Sequence, residues 1–435
     1  MSGSAVDDRH ERFCIIGAGP AGLAAARAFK NAGVPFDLLD RHSEIGGIWN
    51  IDSPGSPIYE TAHFISSKTL SGFEGYPMPA HYPDYPSWHQ ILSYVRSFAN
   101  AHGLPAHFEG GADVERVLPD DDEGWRVQLA SGALRRYAGV VVAVGHDWIP
   151  RTPNYPGTFS GEMYHSVRYR SPREFIGKRV LVIGGGNSGC DIASDAAMFA
   201  DRTLISLRRG YHFLPKHLFG RPTDLFFRSG PQPRARIAQP ILALVLRLVV
   251  GDLTRYGLQA PDHKPLESHP IVNSQLLHHL SHGKVTPKVD VAEFAGREVR
   301  FTDGSTEEVD LVLFATGYRH ELPCLRETLG TNGGRPPLWA QMFVPGRPTL
   351  YVAGFFESDS GAYPLHCRQA TLFAELARHP RARAWLNARM RTPAPDLTGG
   401  IRHIDSPRHR IHVNAEALMK FLERVTRDVR RRGGS

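Results

Sequence analysis

The chain has 435 residues, 41% of them hydrophobic and 22% charged, with a net charge of +7. That is ordinary for globular proteins and long enough for two domains, each with a buried core. The basic charge is spread along the chain and dense only from Arg427 to Arg432, so anionic ligands are favoured and nucleic acid is not an expected partner. Cys14, Cys190, Cys324 and Cys367 are scattered without a CxxC, which argues against a disulfide framework, a metal site of the zinc type and a redox-active cysteine pair.

In chain order, the apolar run 13–16 reads as a strand and leads into Gly17-Ala-Gly-Pro-Ala-Gly22, a G-x-G-x-x-G turn, before a helical pattern over 23–32. In such a unit the glycines permit a tight turn and bring backbone close to a pyrophosphate at the helix N-terminus. A second strand, 35–39, ends at Asp40, whose carboxylate can accept ribose hydroxyls and repels a 2′-phosphate; FAD or NAD fits. Residues 76–88, rich in Pro and aromatics, read as loop, 91–101 as helix, and 114–117, 125–129 and 140–144 as strands, the first two joined by an acidic turn at 120–124.

The pattern then repeats. The run 180–183 precedes Gly184-Gly-Gly-Asn-Ser-Gly189 and a helical stretch over 191–200, so two dinucleotides are implied. The following strand, 203–207, ends not in an acid but in Arg208 and Arg209. A guanidinium there matches a 2′-phosphate, so NADPH is expected at this turn. Residues 212–270 exceed what a minimal nucleotide-binding unit needs. They contain the apolar stretch 237–250, read as a buried or tunnel-lining helix because Pro240 and its length argue against a span. Residues 309–317 and 349–354 read as strands returning to the first sheet, and 414–427 as an amphipathic surface helix.

Four further segments carry a family resemblance. Phe159-Ser-Gly161-Glu-Met-Tyr-His165-Ser-Val-Arg-Tyr169 fits F-x-G-x-x-x-H-x-x-x-[FYW], Leu313-Phe-Ala-Thr-Gly-Tyr318 is an ATG-type segment, Ile45-Gly-Gly-Ile-Trp49 is a GG-x-W turn, and His269-Pro-Ile-Val-Asn273 follows late in the second unit. In this order the chain resembles the flavin-containing monooxygenases, class B flavoprotein enzymes related to the Baeyer–Villiger monooxygenases. The resemblance implies an α/β fold of two Rossmann-like dinucleotide-binding domains. The FAD domain would span 10–170 and 309–435, with the NADPH domain, 171–308, inserted into it.

It also implies an NADPH- and O2-dependent monooxygenase working through a C4a-(hydro)peroxyflavin, with a small organic substrate oxygenated at nitrogen or sulfur. No side chain need act as nucleophile or base, so no catalytic residue is assigned. The expected FAD contacts are Gly17, Gly19, Pro20, Ala21, Gly22, Asp40, Arg41, Gly47, Ile48, Trp49 and Ser66; the expected NADPH contacts are Gly184, Gly186, Asn187, Ser188, Gly189, Arg208 and Arg209. Trp49 reads equally as a wall over the flavin ring or as core, His165 as a structural tie, and Lys68 as solvated surface or a phosphate contact.

Two departures stand out. Ile65 occupies the place where the family usually has Asn before Ser-Ser-Lys, so it cannot donate a hydrogen bond there; Ser66, Ser67 or a group elsewhere would have to serve. Tyr169-Arg170 stands where Baeyer–Villiger enzymes usually carry Trp-Pro, which leans the reading toward heteroatoms over ketones. The alternatives are Baeyer–Villiger oxygenation, an uncoupled NADPH oxidase, and a non-catalytic FAD- and NADPH-binding redox module; a disulfide reductase would want a cysteine pair. No secretory signal or transmembrane span is read, so the cytoplasm is the expected place. Peripheral membrane contact and a homodimer stay open.

Overall fold

The computed structural model describes residues 6–120, 124–228 and 235–434. The first sheet is built from β1 (Asp7–Ile16), β2 (Phe36–Asp40), β3 (Phe108–Gly110), β4 (Val114–Pro119), β5 (Trp125–Leu129) and β6 (Leu134–Val142), in the order β3-β2-β1-β6-β5-β4. β1 is parallel to β2 and β6, and β6 is antiparallel to β5 at its start, while its end pairs in parallel with Leu350–Val352. The last residues of β1, Phe13–Ile16, are all buried, as a central parallel strand covered on both faces requires. Helix α1 (Pro20–Asn31) follows β1, with Pro20 at its first position where no donor is lost. It packs in one core with the helices Tyr363–Arg378 and Ala415–Gly433 through Leu23, Phe29, Leu372, Phe373, Leu418 and Leu422.

The second sheet is wholly parallel, with strands in the order Val285–Lys288, Arg202–Ser206, Arg179–Ile183, Leu311–Phe314 and Glu162–His165. This corrects one expectation. Residues 311–314 do not return to the first sheet but lie between the second fingerprint strand and Glu162–His165, with Leu311 opposite Val180 and Glu162. A four-residue apolar run is buried equally well in either sheet, so its pattern names no partner. The second sheet thus recruits strands from before residue 171 and after residue 308, on both sides of the expected limits. Leu350–Val352 does join the first sheet.

The expected helix over 91–101 is longer, Trp88–Ala101, because Ser87 and Gln90 form a capping box that starts it earlier. The strands at 114–117 and 125–129 are β4 and β5; most of the acidic turn between them lies outside the described residues. The insertion folds around helices Thr223–Arg228 and Ala235–Val249. The second of these is amphipathic in an unexpected sense. Leu242 and Leu246 are buried, but Ile241, Leu244, Leu248 and Val249 are exposed, so the expectation of a buried helix is corrected for that face. No helix among the described residues is long and apolar enough to cross a membrane.

Candidate functional site

Both glycine turns open on one cavity of about 1730 Å³. At the first, Gly17 adopts φ +107°, and a Cβ there would stand 2.4 Å from the Ala143 carbonyl oxygen. At the second, Gly184 has φ +122°, and its Cβ would stand 2.3 Å from the oxygen of Ala315. Only glycine fits either place. The helices that follow have Gly19 and Gly186 as N-caps, and neither is capped by a side chain. Their first-turn N–H groups therefore need an acceptor from elsewhere, the arrangement that suits a pyrophosphate. A Cβ on Gly186 would meet nothing within 4 Å, so the space over it is open.

Most of the sequence-assigned residues converge on this cavity: Gly17, Gly19, Pro20, Ala21, Asp40, Arg41, Gly47, Ile48, Trp49 and Ser66 on one side, and Gly184, Gly186, Asn187, Ser188, Arg208 and Arg209 on the other. Gly22 and Gly189 are not on its wall but stand behind the two turns. A Cβ at Gly22 would fall 1.7 Å from the Gly17 oxygen, and one at Gly189 2.0 Å from the Gly184 oxygen. Their task is to let each helix close on its own turn, not to touch a ligand. Lys68 is also away from the cavity, with its ammonium on the carbonyls of Ala80 and Tyr82.

Around the first turn, Asp40 is buried and its carboxylate accepts from the N–H of Ala18 (2.6 Å) and of His42 (2.8 Å). Two backbone donors fix its orientation and leave acceptor capacity for ribose hydroxyls. The Arg41 guanidinium lies 4.4 Å from the centroid of Trp148, so an aromatic from 107 residues away walls the same pocket. Trp49 packs edge-on against Phe64 and lines the cavity, serving as wall and core together. Ser66 and Ser71 share a hydroxyl hydrogen bond of 2.8 Å, and Ile65 faces the cavity beside them.

Around the second turn, Asn187 accepts from the Val272 N–H (2.9 Å), while its amide Nδ2 is buried without a partner. An orphaned donor beside a glycine turn fits a phosphate oxygen. Asp191, one turn into the helix, accepts from Tyr59 (3.2 Å) and Asn273 (2.6 Å), and burial raises its pKa to about 6. Thr61 and Tyr169 both donate to Asp195 on the same helix. The first-sheet loop is thereby fastened to the second nucleotide helix. His165 ties the ends of two adjacent second-sheet strands: its Nδ1 accepts from Val167, and its other ring nitrogen donates to the Gly317 carbonyl at 3.0 Å.

Several wall residues carry no sequence signal at all. Arg151 reaches the cavity from the segment after β6, and Arg408 from the C-terminal part of the chain, where it is ion-paired with Glu357 (2.5 Å). The Arg408 guanidinium holds Glu357 at about 2 against the burial that opposes it. His146, Asp147 and Glu357 bring ligand-type atoms within 4.8 Å of one another, but Glu357 is already committed to Arg408. The insertion lines the same cavity with Leu214, Thr223, Asp224, Phe226, Ile241, Leu242 and Val245. No periodicity or spacing could have brought these together, since each is local to a different part of the chain.

The donor set and the open glycine turns fit two dinucleotides. Comparison with known proteins agrees. The sequence model of the flavin-binding monooxygenase-like family matches residues 10–378. Indole-3-pyruvate monooxygenase YUCCA1 of Oryza sativa subsp. japonica is 32% identical over 357 residues, covering 78% of this chain and 86% of that protein. Dimethylaniline monooxygenase [N-oxide-forming] 2 of Rattus norvegicus is 30% identical over 400 residues, 85% of this chain and 74% of that protein. Among solved structures, cyclohexanone monooxygenase bound to epsilon-caprolactone superposes with a TM-score of 0.74 at 17% identity, over 97% of this chain and 98% of the other, a likeness of fold.

Proposed function

The chain belongs to the flavin-binding monooxygenase-like family, and from that premise we propose that it oxygenates a nitrogen or sulfur atom of a small organic substrate. It is an FAD-dependent NADPH monooxygenase. Bound at the two turns, FAD and NADPH supply the electron transfer and the activation of O2. The protein's part is to hold and to exclude. The free N–H groups after Gly19 and Gly186 bind the pyrophosphates, Asp40 orients the FAD ribose, and Arg208 with Arg209 selects the 2′-phosphate. The bonds of Tyr59 to Asp191 and of Thr61 to Asp195 keep the two nucleotide sites in one geometry. All four cysteines are free and buried, which suits a reducing cytoplasm.

The observation that carries the choice of a heteroatom is the stretch of cavity wall that residues 212–250 supply: Leu214, Thr223, Phe226, Ile241, Leu242 and Val245 line it, and Asp224 is the one charged side chain among them. An amine or thioether attacks with its own lone pair and needs no activation. A ketone needs its carbonyl polarised by a donor or a cation, and a carboxylate does the opposite. The N-oxide-forming relative supports this choice; the relative named for a keto acid makes ketones the reading to test against it.

The test is turnover under 18O2 with NADPH and a tertiary amine, a thioether and a cyclic ketone. One labelled oxygen in an N-oxide or sulfoxide is expected. A lactone as the sole product would transfer the assignment to Baeyer–Villiger chemistry. Hydrogen peroxide as the sole product would make the protein an oxidase, and no NADPH consumption would leave a binding module.

A further inference from the structure

Arg151 is held with unusual firmness for a cavity-lining arginine. Its N–H donates to the Gly317 carbonyl (3.0 Å), and its guanidinium Nε and Nη2 donate together to the Thr316 carbonyl (3.2 and 2.8 Å). The Thr316 hydroxyl donates back to the Arg151 carbonyl. The guanidinium is thus fixed on the ATG turn by one neutral oxygen, and it makes no ion pair among the described residues.

Arg208 lines the same cavity, is exposed, and likewise makes no ion pair among the described residues. The strand end that carries Arg208 lies beside Asp290, with Ser206 on the Val289 carbonyl and Leu207 on the Lys288 carbonyl, and Asp290 accepts from Tyr155, four residues beyond Arg151. Burial and the Arg208 charge both disfavour the protonated form of Arg151. Asp290, which lines the same cavity, already accepts from Tyr155 (3.1 Å) and from the Val291 N–H (3.0 Å). Arg209 is different: it faces Asp262 at 3.9 Å. Two guanidiniums therefore line one cavity with no ion pair of their own among the described residues, an arrangement that a dianionic phosphate relieves and a neutral hydroxyl does not.

Resting on the NADPH reading of the second turn, we propose that Arg151 is the second jaw of a 2′-phosphate clamp, opposite Arg208, and that it sets the preference for NADPH over NADH. Arg208 belongs to the second nucleotide unit and Arg151 to the segment leaving β6, so the phosphate closes the two parts of the chain on each other. Arg209 contributes less, being drawn toward Asp262.

The experiment is calorimetric titration of the FAD-loaded enzyme with 2′,5′-ADP and with 5′-AMP. Wild type should bind 2′,5′-ADP more tightly. Arg151→Met should lose about 10- to 100-fold for 2′,5′-ADP, as expected for a charge-assisted hydrogen bond, with less than about 2-fold for 5′-AMP. Arg151→Lys, which keeps the charge and serves as the second variant should Arg151→Met fold poorly, should recover part of the loss. Arg208→Met should match Arg151→Met, and Arg209→Met should fall short of both. Wild type discriminating while Arg151→Met stays unchanged overturns the clamp alone. So does equal loss for both ligands, which would reduce Arg151 to a brace for the Thr316 turn. Wild type binding the two ligands equally overturns the clamp together with the NADPH reading of the site.

Discussion

The open space above Gly186 yields a perturbation that separates ligand binding from folding. Gly186 has φ −74° and ψ 175°, a conformation any residue adopts, and its added Cβ would meet nothing within 4 Å. Gly186→Ala should therefore fold, losing on the order of 0.5–1 kcal/mol because alanine is a poor N-cap. Gly184→Ala is the contrast, with its Cβ 2.3 Å from a carbonyl oxygen at φ +122°; it should destabilise the protein far more. On the ligand side, the new methyl stands where a pyrophosphate must approach the first-turn N–H groups. Retreat by a methyl radius forfeits one or two charge-assisted hydrogen bonds at about 1.5–3 kcal/mol each. A net loss of about 3 kcal/mol corresponds to roughly 100-fold in NADPH affinity. The assay pairs thermal unfolding with fluorescence titration of NADPH, and FAD content should be unchanged because the first turn is untouched. NADPH affinity within twofold of wild type would refute the placement of the pyrophosphate over this turn.

Asp191→Asn should flatten the pH dependence of stability. Burial raises the folded pKa of Asp191 from 3.8 to about 6, so its contribution is fully present below 3.8 and is lost as pH rises through about 6. The upper limit is about 3 kcal/mol. The variant should gain in unfolding temperature over wild type above pH 6, and parallel pH profiles would refute this. His165→Ala should cost about 1–3 kcal/mol in urea unfolding, because it strands the Gly317 carbonyl and the Val167 N–H. Burial lowers the His165 pKa from 6.5, so its contribution holds above 6.5 and declines as pH falls below it; a cost below about 0.5 kcal/mol would discard the tie. Ile65→Asn restores a donor on the cavity wall and should lower the hydrogen peroxide released per NADPH consumed. An equal or higher yield would clear Ile65 as the cause of leakage.

The residues that were legible share one property: their signal is local. Gly17 and Gly184 are required by φ values and close contacts within a strand–turn–helix unit, and that unit is contiguous in sequence. Asp40 and Arg208 follow at strand ends, positions that spacing alone locates. The function of Gly22 and Gly189 was misplaced for the converse reason. Spacing marks them as glycines of a nucleotide turn but does not say whether the missing side chain makes room for a ligand or for the helix. The 1.7 and 2.0 Å clearances decide for the helix.

What the sequence determined by itself was therefore the pair of glycine turns, each set between a strand and a helix, with the acid that follows one and the arginines that follow the other. What only the tertiary structure decided was which distant residues share a wall. Leu311–Phe314 enters the second sheet, Trp148 meets Arg41, Arg408 pairs with Glu357, and Arg151 and Arg208 line one cavity. Backbone turns are dictated over a few residues by sterics and hydrogen bonding. The apposition of charges and walls depends on how packed layers close over one another, and no short pattern encodes that closure.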